Sequence, residues 1–444
     1  MTAVAHGSGA APVAAARAGL GAVLRALGSM RLAVWLLLLL GLLTWLGTLA
    51  QTDRSTHDVQ REYFESWYVI AELPLSVWGT PLFADASGRG FVVRIPLPGA
   101  YPLLLLLGVN LLVGGLLRLQ WRWRNGGILV THFGIAFLLV AGFVKLHWSY
   151  AGRMALYEHP GDNPLPGRVY ESSRFSSFHD FELAVLRDLG DRIEERVVPE
   201  QMLWRARGDR SVTVRGDGLP FTVQIRHWID DAVVRPRAPH VPTNMPTVDG
   251  AVLAERPPVR GVQPKSEQQL AGCHATVFGR NGERFEAILW GFPRDPMDGA
   301  RYPFTFTIDG TRYGLDLRHV MYDLPFAIRL ERFQKLDHPG TTSPRDFRSF
   351  VTVLDGKAPL PAEIFMNNPL RKEGYVVFQS QYGPTVGGPP YYSIFEIAYN
   401  PSDVWPAIAC FVIAAGLLWH FGGKLRRFLK SSAREALGAE RRAA

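Results

Sequence analysis

Cysteine is nearly missing from this chain: two residues, Cys273 and Cys410, in 444. Two thiols cannot form a disulfide framework, and they sit in regions of different character, Cys410 inside a long apolar run and Cys273 outside one. No CxxC, CxxCH or zinc-type spacing occurs. That excludes a thiol oxidoreductase, a c-type cytochrome and a structural zinc module. Acidic residues are the minority charge, 40 against 48 Lys and Arg, and the positive excess gathers beside apolar runs. No nucleic-acid partner is expected.

What the chain has instead is long hydrophobic stretches. Residues 32–50, 99–117, 128–146 and 404–421 are each apolar enough and close to the roughly 20 residues needed to cross a bilayer as a helix. The first follows a basic segment, residues 1–31, and ends Thr48-Leu49-Ala50, which invites a signal-peptide reading. The apolar run is too long for that, so it reads as an uncleaved span. Residues 51–98 form a polar loop ending in the turn-rich ADASGRG. Within it, residues 63–83 are aromatic but broken by Glu65, Glu72, Pro74 and Pro81, a pattern expected of a segment at headgroup level, with Trp67, Tyr68 and Trp78 as anchors. The second span carries Asn110, expected to bond across to another helix, and Gly108, Gly114 and Gly115, which permit close helix approach. A short basic link, residues 118–127, leads into the third span.

Residues 147–403 read as a β-rich domain. RSVTVRG, FTVQIRHWI, ATVFGR, RFEAILW, FTFTI, YGLDLRHV, FAIRLERF, FVTVL, YVVFQSQY and YYSIFEIAY are strand-like, and Asn281-Gly282, Asp309-Gly310 and Asp355-Gly356 are hairpin turns between them. Proline-rich patches at 236–246 and 257–264 are surface loops. The expected fold is a multi-pass membrane protein: four transmembrane α-helices plus a large antiparallel, sandwich-like β domain between helices three and four. Arg17, Arg25 and Arg31, then Arg118, Arg122 and Arg124, then the basic tail 422–444 must share one side of a four-span protein. The positive-inside bias makes that side the cytoplasm and the β domain extracytoplasmic. The tail also suits an anionic lipid surface.

Two histidines stand out. His132 lies about a turn inside the third span, where an ionisable group is costly and by default a functional hypothesis. Imidazole is also a frequent ligand of metals and haem iron. The plain reading is a ring that snorkels or bonds a neighbouring helix. His420 ends the fourth span at matching depth, as a second ligand or, with Trp419, an interfacial anchor. His147, His227, His274 and His319 read as anchoring or packing residues. Arg205, Arg207, Arg210, Arg235 and Arg237 read as solvated, or as contacts for an acidic partner or for propionates.

The layout resembles the ResB-like, or CcsB-type, cytochrome c biogenesis proteins. The local matches are Gly47-Thr48-Leu49-Ala50-Gln51 closing span one, LGVNLLVG in span two, VTHFG in span three, and residues 346–382 with their DFxS, MNxPL and GYxxFQSxY pieces. YNPSDVWPAIACFVIAAGLLWHF at 399–421 completes them. The resemblance is weak over residues 150–330. It implies a bacterial cytoplasmic-membrane protein, rather than a thylakoid one, that helps move haem across the membrane for attachment to apocytochrome c. It also implies a CcsA-type multispan partner bearing a tryptophan-rich haem loop, with a thiol reductase as a further candidate partner. Haem would be held transiently and shared, with His132 as axial ligand of the iron. In such a complex this chain is a non-catalytic or co-catalytic subunit, with no catalytic residue of its own. The alternative is a membrane-anchored β-domain scaffold or sensor without haem chemistry. Asn368, Pro369 and Gly374 read as turn residues, and the MNxPL and GYxxFQSxY pieces as turn and strand packing rather than chemistry.

Overall fold

Four helices organise one half of the chain: α1 Met30–Ala50, α2 Ala100–Asn110, α3 Gly126–Trp148 and α4 Trp405–Ala443. The computed structural model describes residues 19, 21–52, 54–74, 76–77, 80–81, 92–119, 122–161, 168–216, 218–237, 244–256, 269–292, 303–341, 343–385 and 388–443. All four helices are long and apolar enough to cross a membrane, counting the continuation of α2 to Leu117. That continuation, Leu111–Leu117, is a π-helix, a wider turn that shifts every later side chain around the axis. Nothing in the composition of the second span marks it. The fourth helix does not stop near residue 421 but runs on through the basic tail.

The chain divides into a helical unit, Met1–Trp148 with Pro401–Ala444, and a β unit, Ser149–Pro258 with Pro264–Asn400. In the helical unit, Ser29 caps α1 by accepting from the Leu32 amide at 3.2 Å. The Asn110 amide donates to the carbonyls of Leu27 and Ser29, leading into α1, at 2.6 and 3.0 Å, the bond to another helix expected of it. Gly114 lies against Gly28 there: a Cβ on Gly114 would sit 2.7 Å from the Gly28 carbonyl oxygen. Gly108 faces open space and takes no part in packing. Helices α3 and α4 meet along a glycine seam. A Cβ on Gly127 would stand 2.7 Å from the Gly416 carbonyl, and one on Gly134 2.7 Å from the Ile413 side chain. At the far end the Ser402 hydroxyl donates to the Ala141 carbonyl at 2.9 Å.

The loop after α1 departs from its expected form. The aromatic segment pairs as a strand, β1 Tyr68–Pro74, antiparallel to β2 Val92–Pro98. Val69 and Ala71 are buried with Leu43, Leu46 and Leu103 of α1 and α2, while Tyr68 and Ile70 face out. An alternating strand thus occupies a stretch read as a headgroup segment. Trp78 and the ADASGRG turn lie outside the described residues.

Among the described residues the strand pairings of the β unit are antiparallel, with only short helical turns at Glu200–Leu203 and Trp204–Ala206. Its strands are β3 Tyr150–Tyr157, β4 Glu171–Asp188, β5 Ile193–Pro199, β6 Ser211–Arg215, β7 Phe221–Ile229, β8 Ala232–Pro236, β9 Thr247–Val248, β10 Ala251–Glu255, β11 Gly272–Gly279, β12 Arg284–Trp290, β13 Phe304–Ile308, β14 Thr311–Asp337, β15 Pro344–Leu354, β16 Leu360–Phe365, β17 Leu370–Lys372, β18 Tyr375–Thr385 and β19 Gly388–Tyr399. The main sheet has ten strands in the order β16-β15-β14-β4-β3-β19-β18-β17, with β13 on β14 and β5 on β4. The separate stretches read as YGLDLRHV and FAIRLERF are one 27-residue strand, β14.

Two cores follow from that long strand. Leu183 and Val185 of β4 and Leu315 and Leu317 of β14 pack on Val223, Ile225 and Val277 of the four-stranded sheet β12-β11-β7-β6, which is the expected sandwich. Further along, β14 and its neighbours curl around a second core holding Leu156, Ile328, Val351, Val377 and Phe395. The passage between them is a register shift: His319 pairs with Phe181 but Met321 with Ser176. Such bulges bend a strand and let one sheet serve two cores. Asp309 and Gly310 both have positive φ, 49° and 73°, giving the tight hairpin their dipeptide predicts.

Close packing makes one position sharply sensitive. A Cβ on Gly152 in β3 would sit 2.0 Å from the Ser176 carbonyl oxygen of β4. Backbone cannot yield as a side-chain tip can. Gly152→Ala should cost about 1–3 kcal/mol or more and lower the melting temperature by about 2–4 °C per kcal/mol, read by thermal denaturation. An unchanged melting curve would contradict that packing.

Candidate functional site

His132 lies in the second turn of α3, whose first residue is Gly126, about 9 Å along the axis at 1.5 Å per residue. Its Nδ1 is 2.8 Å from the Ile128 carbonyl oxygen. A carbonyl only accepts, so Nδ1 carries the proton and donates. In the neutral ring this leaves Nε2 with its lone pair free, and a metal-ligating histidine is oriented in just this way, through its other nitrogen. The ring lies against Gly115 in the π-helical part of α2. A Cβ there would be 2.4 Å from Cδ2 and 3.2 Å from Nε2 of His132. The room for the imidazole therefore comes from two features at once: a residue with no side chain, and the π-turn that rotates it to face α3. The donor set fits an axial ligand to haem iron.

His420 is on α4 at the same end of the bundle. Its backbone borders Gly127, where a Cβ would stand 2.6 Å from the His420 nitrogen, and its ring lies 5.3 Å from that of Phe421. Trp419 beside it packs on Trp123 at 4.9 Å. Both histidines thus belong to the same end of the helical unit, as the sequence implied. They occupy different seams, the His132 ring against α2 and His420 on the α4 side of the α3–α4 seam. Among the described residues no hydrogen bond or ring contact joins them. Among those residues, too, no three His, Cys, Asp or Glu side chains are grouped to hold a bare metal ion.

The remaining candidates have ordinary roles here. His147 is exposed at the far end of α3, its Nδ1 3.0 Å from the Phe143 carbonyl and its ring beside Phe143 and Trp148. His319 is buried on the Phe181 ring at 4.2 Å. His274 donates through Nε2 to the Pro246 carbonyl at 3.2 Å, and burial, followed by the neighbouring His227, holds its pKa below the usual imidazole range. Arg207 grips Asp230 with two bonds of 2.5 and 2.6 Å, and Arg237 donates to Thr247 at 2.6 Å. Cys273 is fully buried, which pushes its thiol up to about 12, far from a reactive thiolate. Cys410 is likewise a free thiol.

Of the residues read as turn residues, Gly374 sits in a turn with φ of 82°, whereas Asn368 bridges back to Phe365 and the positive φ of that earlier turn, 63°, belongs to Asn367. Sequence reasoning missed that Phe347, Met366 and Gln379–Tyr382, drawn from three separate motif pieces, line one cleft of about 410 Å³. Their spacing in the chain gives no periodicity from which that convergence could be read.

Comparison with known proteins bears on the β unit. Residues 304–389 match the model of the ResB-like family, a stretch containing the 346–382 motifs and none of the four apolar helices. The chain is also similar to Protein NrfI of Wolinella succinogenes, 32% identical over 107 residues. That match takes in 24% of this chain and 11% of the relative, so it speaks for a small part of that protein.

Proposed function

Because this is a ResB-like protein, we propose that it works in cytochrome c biogenesis, as the membrane subunit of a system that delivers haem for covalent attachment to apocytochrome c. The observation that carries the haem part is the fixed tautomer of His132, with Nδ1 bonded to Ile128 and the ring seated on Gly115. Haem, when bound, supplies a porphyrin iron with an axial position for a neutral nitrogen. His132 offers that nitrogen, the Ile128 carbonyl holds the ring's orientation and tautomer, and the surrounding apolar helices exclude water. His420, at the same end of the bundle, is the second haem-binding residue in this reading. A further ligand to the iron would come from a CcsA-type partner. Attachment to protein uses the two thiols of the apocytochrome; neither Cys273, buried and inert, nor Cys410 takes part.

The arginines around residues 118–124 and the basic tail support an orientation with the His132 end at the cytoplasmic leaflet of a bacterial cytoplasmic membrane and the β unit outside. Reporter fusions after Arg122 and after Arg426 should read as cytoplasmic, and one at Gly282 as external. An external signal at Arg122 would break the four-span arrangement. The haem reading is tested by co-expression with the candidate CcsA-type partner and an absorbance spectrum of the purified complex. A Soret band dependent on His132 is expected. A complex free of haem would leave the membrane-anchored scaffold in its place.

A further inference from the structure

We propose that the free edge of β18 at residues 378–382, with the cleft beside it, binds an extended, uncharged stretch of polypeptide by taking it up as an added strand. The inference rests on the biogenesis reading, in which an unfolded apocytochrome must be held, and it names where.

Strand β18 is paired along its length on one side with β19. On the other side it has only β17, three residues long, whose register ends at Leu370 opposite Val377. Among the described residues no strand continues along that edge. Burial changes at the same point: Val376 and Val377 are 6% and 0% exposed, and Phe378 is 40% exposed. Ser380 and Gln381 are exposed as well. Unpaired edges invite pairing with another chain, and proteins usually blunt them with charge, proline or a covering segment. Residues 378–382 carry no charge and no proline, and among the described residues no strand pairs over their free edge. At roughly 3.4 Å per residue they offer about 17 Å of free edge.

The edge is also prepared. Ser380 is the extra residue of a bulge, since Gln379 pairs with Phe395 and Gln381 with Ile394. Gln379 is locked in place. Its side-chain carbonyl accepts from Ser349, whose oxygen in turn is bonded to Ser393, and its amide donates to the Gln381 carbonyl at 3.0 Å. Ser349 and Ser393 are fully buried, so this network fixes the bulge from inside the core. Bulges of this kind re-aim side chains at sheet edges and binding sites.

The cleft next to the edge is lined by Phe347, Met366, Gln379, Ser380, Gln381 and Tyr382. Tyr382 is flanked by Phe333 at 4.8 Å and Phe347 at 4.7 Å, which makes one wall a rigid aromatic face. Met366 stands at the lip, 58% exposed, and a thioether adapts to many apolar shapes. None of the lining side chains is charged. Main-chain bonds to an open edge with apolar pockets for alternate side chains are the terms on which strand addition works. Lining without a cation suits an uncharged peptide and gives nothing to pair with the carboxylates of a porphyrin.

The test uses the full chain in detergent micelles and a fluorescein-labelled ten-residue peptide of alternating valine, threonine and phenylalanine. A second peptide has the same sequence with alternate backbone amides N-methylated on one edge. The first peptide should bind, and N-methylation should weaken it at least about tenfold by deleting strand-pairing donors with side chains unchanged. Met366→Glu and Ser380→Asp, both at exposed positions, should weaken it severalfold with the melting temperature unchanged. Equal binding of the two peptides, no binding of either, or indifference to both substitutions would overturn the proposal. So would haem binding at this cleft that Met366→Glu abolishes. Loss of peptide binding alongside a normal Soret band from the complex defeats this inference alone. Intact peptide binding without any haem in the complex defeats the haem reading alone.

Discussion

His132→Ala should leave the protein inserted and abundant, while cytochrome c maturation and the Soret absorbance of the complex fall at least about tenfold. The two halves of that result have separate causes. Replacing a lone imidazole by a methyl group in an apolar helix removes a desolvation burden, so stability does not suffer. Binding does suffer, because the one ring nitrogen held in register by the Ile128 carbonyl is gone. The substitution leaves a cavity beside Gly115, and free imidazole in the medium should occupy it and restore part of the absorbance. His420→Ala is the control for the alternative seam: a larger defect there would shift the principal ligand to α4. Normal maturation in the double variant would remove both histidines from the mechanism.

Gly115→Ala should be as damaging as loss of the histidine itself, although it keeps every ligand. The new Cβ would lie 2.4 Å from His132 Cδ2 and 3.0 Å from Cγ, closer than real contacts allow. The ring must swing away, breaking its 2.8 Å bond to Ile128 and losing the direction of Nε2. Imidazole should not rescue this variant, because the displaced side chain still fills the space. Gly108→Ala, one span-two glycine with nothing within 4 Å of its would-be Cβ, should behave as wild type. Absorbance spectra of the three variants, with and without imidazole, separate a missing ligand from a misdirected one. A normal, unresponsive spectrum for Gly115→Ala would refute the packing of His132 on α2.

The four helices were legible because length and hydropathy alone decide which segments can span a bilayer. His132 was legible too, as an ionisable residue where such residues are costly. Its seat was not: Gly115 meets it only because the helix widens at residues 111–117, and two adjacent glycines do not announce a π-turn. In the β unit, the hairpin turn at Asp309-Gly310 was read correctly, since a dipeptide needing positive φ is a local property. Strand β14 was read as two because Pro325 interrupts its alternation. The chain tolerates it where residues between Asp323 and Ile328 bulge opposite Ser173, with Leu324 and Phe326 buried. Strand β4 went unread because its serine-rich first half, Glu171 to Ser177, shows no alternating apolar face. The aromatic segment around Trp67 and Tyr68 did not announce its local structure: burial of Val69 and Ala71 makes β1 a strand, which aromatic content alone does not show.

The first and last strands of the β unit are neighbours, with Tyr150 directly opposite Tyr399 and their rings 5.1 Å apart. The chain therefore enters and leaves that unit at one point. In the helical unit α3 and α4 are joined at the corresponding end by the bond from Ser402 to Ala141, so they form a hairpin that is complete without what lies between. The β unit is in this sense a cassette inserted into a helical hairpin. Excising residues 149–400 and splicing the hairpin with a short turn removes none of the residues that touch His132. The haem step and the polypeptide step proposed above can then be given to separate molecules, and whether cytochrome c maturation needs both units on one chain becomes a question with an experimental answer.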